Sequence, residues 1–349
     1  MSEAYEVRAA AAAPGTAPGS RDPRAVAVTM SMSRARRMEA CPRQEWWHTQ
    51  AARGGWALDA DPVAREAWAA RCATSLHAVL GQAVHEAAAT IARALRDGRR
   101  PPSYEALLAH VRGRLAKLWR ARDAAAFRRR PERDGFLLER LRGGEVPEAT
   151  LVAIRTRMPA ALRRLVAHPV WDHVRACGRG DVVVVDALDA LLVDLPGGPV
   201  QLYCAPDLVY VSRAPLDVPD LGVPVPAGSP VLVDWKTGHA GDALLQLALY
   251  AYYARERLRL PPGPLGYVGR VGDLGGADSD PLGGQVVLVG EPEIARARGL
   301  VERRAAQVRA WTGPDGRLDR DRMPTVETAC RFCAFTTLCD VNAAPLAAL

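Results

Sequence analysis

The reading of this chain turns on Pro230-Val231-Leu232-Val233-Asp234-Trp235-Lys236-Thr237-Gly238. Pro230 to Val233 is a short apolar run of the kind that forms a buried strand. Side chains alternate along a strand, so Asp234 and Lys236 project from one face while Val231, Val233 and Trp235 project from the other. The lysine is a scarce residue here. Of 46 basic residues only Lys117 and Lys236 are lysines, and the other 44 are arginines. Arginine supplies positive charge almost everywhere, so a lysine marks a position that needs a compact, mobile ammonium and not a planar fork. Taken alone, Asp-x-Lys also describes a surface ion pair at a strand end.

With 349 residues the chain is long enough to bury a substantial core. Its net charge of +7 and pI of about 9.2 favour an anionic partner, nucleic acid first. No apolar run reaches the 18 or so residues of a membrane span, so no membrane role is expected. Residues 1–28 read as a disordered tail: Met1 to Arg24 is rich in Ala, Pro and Gly, with no basic and then apolar segment of a signal peptide. That implies a cytoplasmic, reducing setting, where seven cysteines serve as metal ligands or small buried groups before they serve as disulfides.

Working outward, Ser31 and Ser33 can cap a short helix carrying Arg34, Arg36 and Arg37 and ending near Cys41-Pro42. Helices are expected over 62–72 and 74–97, the second stopped by Gly98. Residues 103–177 continue as helices broken at Arg130-Pro131, Gly143-Gly144 and His168-Pro169. From Asp181 to Asp194 the texture becomes β-branched, with a hairpin turn at Gly197-Gly198 and a further strand over 200–211. After the strand at 231–234, the pattern predicts a helix over 242–258, strands near 265–271 and 285–289, and a last helix over 291–311. The order implies an α/β domain with a helical region ahead of its sheet.

Several features line up with the Asp-x-Lys strand. Pro206-Asp207 interrupts the 200–211 strand; proline cannot donate to a central ladder and belongs at an edge or bulge, which re-aims a side chain. Asp207 would then reach Asp234 across neighbouring strands, two hard oxygen ligands for Mg²⁺ or Mn²⁺. Read by itself, Pro-Asp is a turn. Gln246 and Tyr250, at i and i+4, share one helix face. Gly81 and His85 share another, and the glycine would let a second backbone approach closely. Near the C-terminus Cys330, Cys333 and Cys339 pack three thiols into ten residues, a strong metal signal that lacks a fourth ligand. Cys41, ahead of Trp46-Trp47, is the natural candidate. Cys72, Cys177 and Cys204 lie in apolar stretches and read as small buried residues.

Gly81…His85, Pro206-Asp207, Asp234-Trp235-Lys236-Thr237-Gly238 and Gln246-x-x-x-Tyr250, in that order, resemble the PD-(D/E)XK nuclease superfamily and within it the RecB-like branch. The resemblance implies a restriction-endonuclease-like mixed central sheet flanked by helices, with an N-terminal helical region and a cysteine-rich C-terminal segment. It implies that His85, Asp207, Asp234 and the Trp235 carbonyl hold a divalent metal. Lys236 would orient or deprotonate the attacking water and stabilise developing negative charge, and Gln246 and Tyr250 would position the lysine or the phosphate. One cysteine ahead of the core and three behind it resembles the iron–sulfur RecB-like nucleases, including AddB subunits and the exonucleases of CRISPR spacer acquisition. On that likeness Cys41, Cys330, Cys333 and Cys339 would carry a cluster, expected to be 4Fe-4S, with structural zinc as the alternative. A cluster joining Cys41 to Cys330 closes a loop of about 289 residues, worth on the order of 5 kcal/mol of chain entropy.

The expected organisation is thus a single nuclease domain over 29–349, with a helical insertion at about 99–177, a catalytic core at about 178–312, and a cysteine segment at about 325–342 pairing with Cys41. The insertion is dense in arginine, including Arg128-Arg129-Arg130 beside Phe127; most of these read as solvated helix faces and some as phosphate contacts. The expected activity is metal-dependent cleavage of DNA, exonuclease-like on single strands or duplex ends, with protein partners in a repair, CRISPR-adaptation or defence complex. Two other readings stand beside it: the same fold acting on RNA, and a non-cleaving nucleic-acid-binding subunit. Retention of Asp207, Asp234 and the scarce Lys236 argues against the second.

Overall fold

The computed structural model describes residues 28–57, 59–133, 135–215, 226–237, 243–261, 265–270 and 284–339; the tail expected over 1–28 lies outside them except for Val28. A short strand, β1 (Val28–Met30), leads into α1 (Met32–Ala40), where the Ser31 hydroxyl accepts the Arg34 N–H at 3.1 Å. This strand was not expected from the residues. α2 (Pro42–Trp46) opens on a proline, whose missing N–H costs nothing in a first helical turn. It runs into a π-helical turn over Trp47–Ala51.

α3 (Pro62–Cys72) starts where expected, because the Asp61 carboxylate accepts the N–H groups of Val63 and Ala64. α4 (Leu76–Arg96) is the long helix anticipated from the sequence and ends before Gly98, at φ 69°. Among the described residues, a Cβ on Gly81, in α4, would meet only the Thr237 hydroxyl, at 3.5 Å, an ordinary contact, and none of them makes the close backbone approach expected there. The region expected to be helical holds α5 (Tyr104–Arg120), α6 (Ala124–Arg129), α7 (Leu138–Leu141), α8 (Glu148–Val166) and α9 (Val170–Ala176). The three anticipated breaks fall between them. A fourth, at Asp123, arises because its carboxylate caps α6 through the Ala126 N–H at 2.8 Å. Phe127 is buried and stacked on Phe136 at 5.0 Å, a core residue and not a base-stacking platform.

Two stretches that read as single strands are each divided. Residues 181–194 form β2 (Val182–Val185) and β3 (Asp189–Leu195); residues 200–211 form β4 (Gly198–Cys204) and β5 (Leu208–Val211). The breaks fall at Asp186, held at φ 44°, and at Pro206-Asp207, and the Asp186 N–H donates to the Asp207 carbonyl at 3.0 Å. The chain changes sheet at both places. β6 (Pro230–Lys236), α10 (Ala243–Glu256), β7 (Leu265–Arg270), β8 (Gly284–Leu288) and α11 (Glu291–Trp311) complete the order, close to the expected bounds.

The main sheet runs β2-β5-β6-β7-β8, with β6 and β7 parallel and the other neighbours antiparallel. A second sheet, β1-β4-β3, was not anticipated. The alternation predicted for β6 decides the packing. Val231, Val233 and Trp235 enter a cluster with Leu208, Tyr210, Leu162 and Trp171, on the side of α4, α8 and α9. Leu232 enters the opposite cluster with Val209, Leu247, Ala251 and Val301, on the side of α10 and α11. α10 bridges the parallel pair and is buried on nearly every side, as its run of Ala, Leu and Tyr requires. Among the described residues no helix is long and apolar enough to cross a membrane.

Two measurements follow from this packing. Trp235 is sandwiched by Trp171, 5.3 Å away, and by the edge of His168 at 4.9 Å. Burial first, then the nearby His173, pushes the His168 imidazole down to about 4. A histidine held below its unfolded value of about 6.5 is neutral in the fold, so its stability contribution is complete above that value and is lost as pH falls towards 4. Between about pH 7 and pH 4, urea unfolding of the wild type should lose on the order of 3 kcal/mol more than that of His168→Phe. Gly81→Ala should raise stability by roughly 0.5–1 kcal/mol, the ordinary gain of alanine over glycine inside a helix. A drop in its melting temperature would mean that Thr237 packs there more tightly than 3.5 Å indicates.

Candidate active site

The antiparallel ladder between β5 and β6 ends at the pair Leu208↔Val233. Continued by two residues, that register would set Pro206 opposite Trp235, and proline has no N–H to offer the Trp235 carbonyl. The Trp235 N–H is taken by a side chain: Asp207 Oδ2 accepts it at 2.7 Å. The break at Pro206-Asp207 therefore ends the pairing and swings a carboxylate to the end of β6. The other oxygen, Asp207 Oδ1, lies 2.9 Å from Nδ1 of His85, which α4 presents from the adjoining layer. Burial disfavours charge on the imidazole, but the Asp207 hydrogen bond and the charges of Asp207 and Asp234 outweigh it and hold His85 above the ordinary histidine value.

Asp234 is fully buried. Burial pushes its carboxyl above the usual carboxylate range and Asp207 adds to that, while Lys236 works in the opposite direction. Asp234 Oδ1 accepts from Gln246 Nε2 at 3.0 Å. Oδ2 forms an ion pair with the Lys236 ammonium, out of line for a hydrogen bond, and has no hydrogen-bond partner among the described residues.

Gln246 and Tyr250, one turn apart on α10, tie these groups together. The Gln246 amide donates to Tyr250 Oη at 2.9 Å, and Tyr250 donates to the Ala205 carbonyl at 3.0 Å. Gln246 Oε1 accepts from Lys236 Nζ at 3.4 Å and from Arg36 Nη2 at 2.9 Å. The structure thus brings together His85, Asp207, Asp234, Trp235, Lys236, Gln246 and Tyr250. It adds Arg36, which the sequence placed on a helix without a role, since nothing local ties that helix to α10, more than two hundred residues away.

Two carboxylates, an imidazole and a backbone carbonyl at one strand end are the donors a hard divalent cation takes. The buried Asp234 Oδ2 has the Lys236 ammonium beside it but no hydrogen bond of its own, which leaves it a lone pair for a cation. Among the described residues no three carboxylate, imidazole or thiolate side chains form a finished metal cage. Magnesium sites need none, because the ion keeps several waters and takes one or two carboxylates.

Of the four cysteines expected to share a cluster, Cys41 and Cys339 both act electrostatically on Cys333, but among the described residues no three of them form a metal site. The Cys333 thiol is pushed up to about 11, by burial first, with Cys41 and Cys339 adding and the Phe335 N–H and Arg142 opposing. Cys330 instead points its Sγ at the Val326 carbonyl, 4.0 Å away. The two ends of the chain meet here independently of any metal: the Arg43 N–H donates to the Pro324 carbonyl at 3.1 Å, Trp46 Nε1 to that of Leu318 at 3.0 Å, and Trp47 stacks on Phe335 at 6.4 Å. Of the cysteines expected to be buried, Cys204 is, and Cys72 and Cys177 are half-buried.

No curated protein matches the chain significantly. A solved structure described as "Crystal structure of SSO0001" is 11% identical with a TM-score of 0.28, over 57% of this chain and 73% of that one, a likeness too slight to carry argument. The family model of the PD-(D/E)XK nuclease superfamily matches residues 29–340. A match running from β1 to the last cysteine leaves no doubt about kinship: the chain belongs to the PD-(D/E)XK nuclease superfamily, whose members are mostly metal-dependent nucleases, and its mixed sheet flanked by helices agrees with the restriction-endonuclease-like fold.

Proposed function

We propose that this protein is a metal-dependent deoxyribonuclease that hydrolyses phosphodiester bonds at the end of β6, acting from strand ends. The observation that carries the reading is the meeting of Asp207, just ahead of β5, with the end of β6, where Asp234 and Lys236 pair with each other and share one glutamine amide. In this reading His85, Asp207, Asp234 and the Trp235 carbonyl hold Mg²⁺ or Mn²⁺. When bound, such an ion polarises the phosphoryl oxygen and lowers the pKa of the attacking water. Asp207 holds the Trp235 N–H, next to the end of β6, and the His85 ring, so metal ligands and strand end move as one piece. Lys236 places a compact positive charge where the phosphorane charge develops and orients the water for attack. Gln246 fixes Lys236 and Asp234 against each other, and Tyr250 fixes Gln246.

The proposal extends to an iron–sulfur cluster on Cys41, Cys330, Cys333 and Cys339, supported by the influence of Cys41 and Cys339 on the Cys333 thiol and by the hydrogen bond that ties Arg43 to Pro324. Cys330 would swing away from Val326 to complete the set. We propose further that the protein works in the cytoplasm, as a chain with no signal-peptide pattern is expected to, and that it serves a repair, CRISPR-adaptation or defence complex, a reading supported by its motif likeness to iron–sulfur RecB-like nucleases.

The decisive variant is Lys236→Arg, which keeps the charge and changes its shape. If Lys236 positions or deprotonates water, a guanidinium fails, because its pKa is too high and its donors are fixed in a plane. Mn²⁺-dependent cleavage of end-labelled DNA should fall at least about a hundredfold, roughly 2.7 kcal/mol of transition-state stabilisation, with unfolding unchanged. Rates within a fewfold of wild type would return the pair to a structural role. Matched DNA and RNA strands in the same assay separate the two substrates. Asp207→Asn should be inactive yet nearly as stable as wild type, since its amide oxygen still accepts the Trp235 N–H; Asp207→Ala should be inactive and also lose about 1–3 kcal/mol.

Anaerobically purified protein should be brown and should bleach when Cys41, Cys330, Cys333 or Cys339 is replaced, but not with Cys72→Ala. A colourless preparation with stoichiometric zinc would leave the staple and remove the cluster.

A further inference from the structure

Gln246 and Tyr250 line a second cavity, of about 390 Å³, beside the site. Its other walls come from β1, α1, the π-helical turn, the end of α3, Leu188 and the end of β4, with apolar side chains among them. They carry three arginines, Arg34, Arg37 and Arg71, and no carboxylate. The acid that answers them, Glu45, is fully buried, with Arg34 Nε 2.8 Å from one oxygen and Arg37 Nε 2.9 Å from the other. Three guanidinium groups against one carboxylate leave a surplus of two positive charges around the cavity.

His48, also in the wall, registers that field. Burial first, then Arg37, Arg71 and Arg34, push its imidazole down to about 3, and its Nδ1 is buried without a hydrogen-bond partner among the described residues. Burial disfavours charge of either sign, so it is the three guanidinium groups and not the imidazole that suit the cavity to an anion. Guanidinium forks match the oxygens of phosphate, and Ser33 lines the same space, while the Thr49 hydroxyl is already given to the Glu45 carbonyl at 2.8 Å. Arg36 links the two places: it donates to Gln246 while its neighbour Arg37 faces the cavity.

We propose that this cavity is a phosphate subsite, holding a phosphate of the strand being cut next to the scissile one and so setting the position of cleavage along that strand. The inference rests on the nuclease reading of the adjoining site. The phosphate belongs either to a strand end, as a monoester, or to the interior, as a diester. Either way Arg71 and Ser33 are positioning residues, contributing affinity and register and not chemistry.

Ser33→Glu is the incisive variant. Ser33 is exposed in the first turn of α1, where a carboxylate favours the helix dipole, so the helix should hold or gain stability while the cavity acquires a negative charge. Arg71→Glu tests the opposite wall, with Arg71→Lys as the conservative control. With oligonucleotides of one sequence carrying a 5′-phosphate, a 3′-phosphate or neither, both glutamate variants should raise KM about tenfold or more, kcat moving far less, and lysine should restore most of the loss. A rise confined to one phosphorylated end assigns the monoester and its polarity; an equal rise on all three assigns the diester. KM unchanged in both variants, or a fall in kcat alone, would overturn the subsite. Binding of the same oligonucleotides without divalent metal, read by fluorescence anisotropy, needs no cleavage: Ser33→Glu should bind about tenfold more weakly than wild type, and equal binding refutes the subsite. If the wild type binds in this way and cuts nothing, the nuclease reading fails and the phosphate site stands.

Discussion

Everything in the candidate site depends on one substitution of partners: the last rung of the β5–β6 ladder is made by a carboxylate and not by a backbone carbonyl. Pro206 cannot pair, so β5 begins late, and the Trp235 N–H would be left without a partner were Asp207 not there. A buried, unpaired N–H costs as much as a lost hydrogen bond, which gives Asp207 a structural reason to sit at this point. Having one oxygen fixed by the backbone, it has the other placed for His85. The strand end, the first acid and the helix that supplies the imidazole are thereby coupled through one side chain.

Burial and charge compete at Asp234. Taking a carboxylate wholly out of water is costly, and a second carboxylate nearby raises the cost. Lys236 and the Gln246 amide offset part of it and leave one oxygen without a hydrogen bond. Gln246 accepts from two cations of different shape. The planar fork of Arg36 reaches it from α1, while the ammonium of Lys236 sits against Asp234. In a chain that uses arginine almost everywhere, that division explains why a lysine is kept at 236: a guanidinium held by Gln246 and Asp234 together would have its remaining donors fixed in one plane, unable to turn with a moving water.

Much of this was legible in the residues. Strand alternation placed Asp234 and Lys236 opposite Val231, Val233 and Trp235, because period two is a geometric necessity. Helix starts were legible where Ser31 and Asp61 advertise caps. Sheet membership was not. Residues 181–194 and 200–211 have the composition of long strands, and composition does not say that Asp186 adopts a left-handed turn or that the chain crosses to another sheet there. β1 was invisible because three residues carry no period and its pairing with β4 spans the whole helical region. Arg36 was unreadable for the same reason: its significance lies in a contact across 210 positions. The closeness expected at Gly81 was inferred from residue size alone, and size permits an approach without requiring one.

The last step concerns why two sites of opposite sign can stand side by side. Asp207 and Asp234 leave an excess of negative charge wanting a cation, while Arg34, Arg37 and Arg71 leave an excess of positive charge wanting an anion. At separations near 6 Å such charges attract by about 3 kcal/mol at an effective dielectric of 20, enough to draw a mobile arginine onto Asp234 and silence both. The residues common to the two places, Gln246 and Tyr250, are neutral and fully committed to each other. Tyr250 stays protonated because burial drives its phenol far above the usual range, the Gln246 hydrogen bond only partly opposing. Glu45 then holds Arg34 and Arg37 back by their Nε atoms. A neutral, hydrogen-bonded divider on one side and a buried acid on the other keep each charge available to a ligand and not to its neighbour, an arrangement suited to a substrate that brings phosphate and a cofactor that brings a cation.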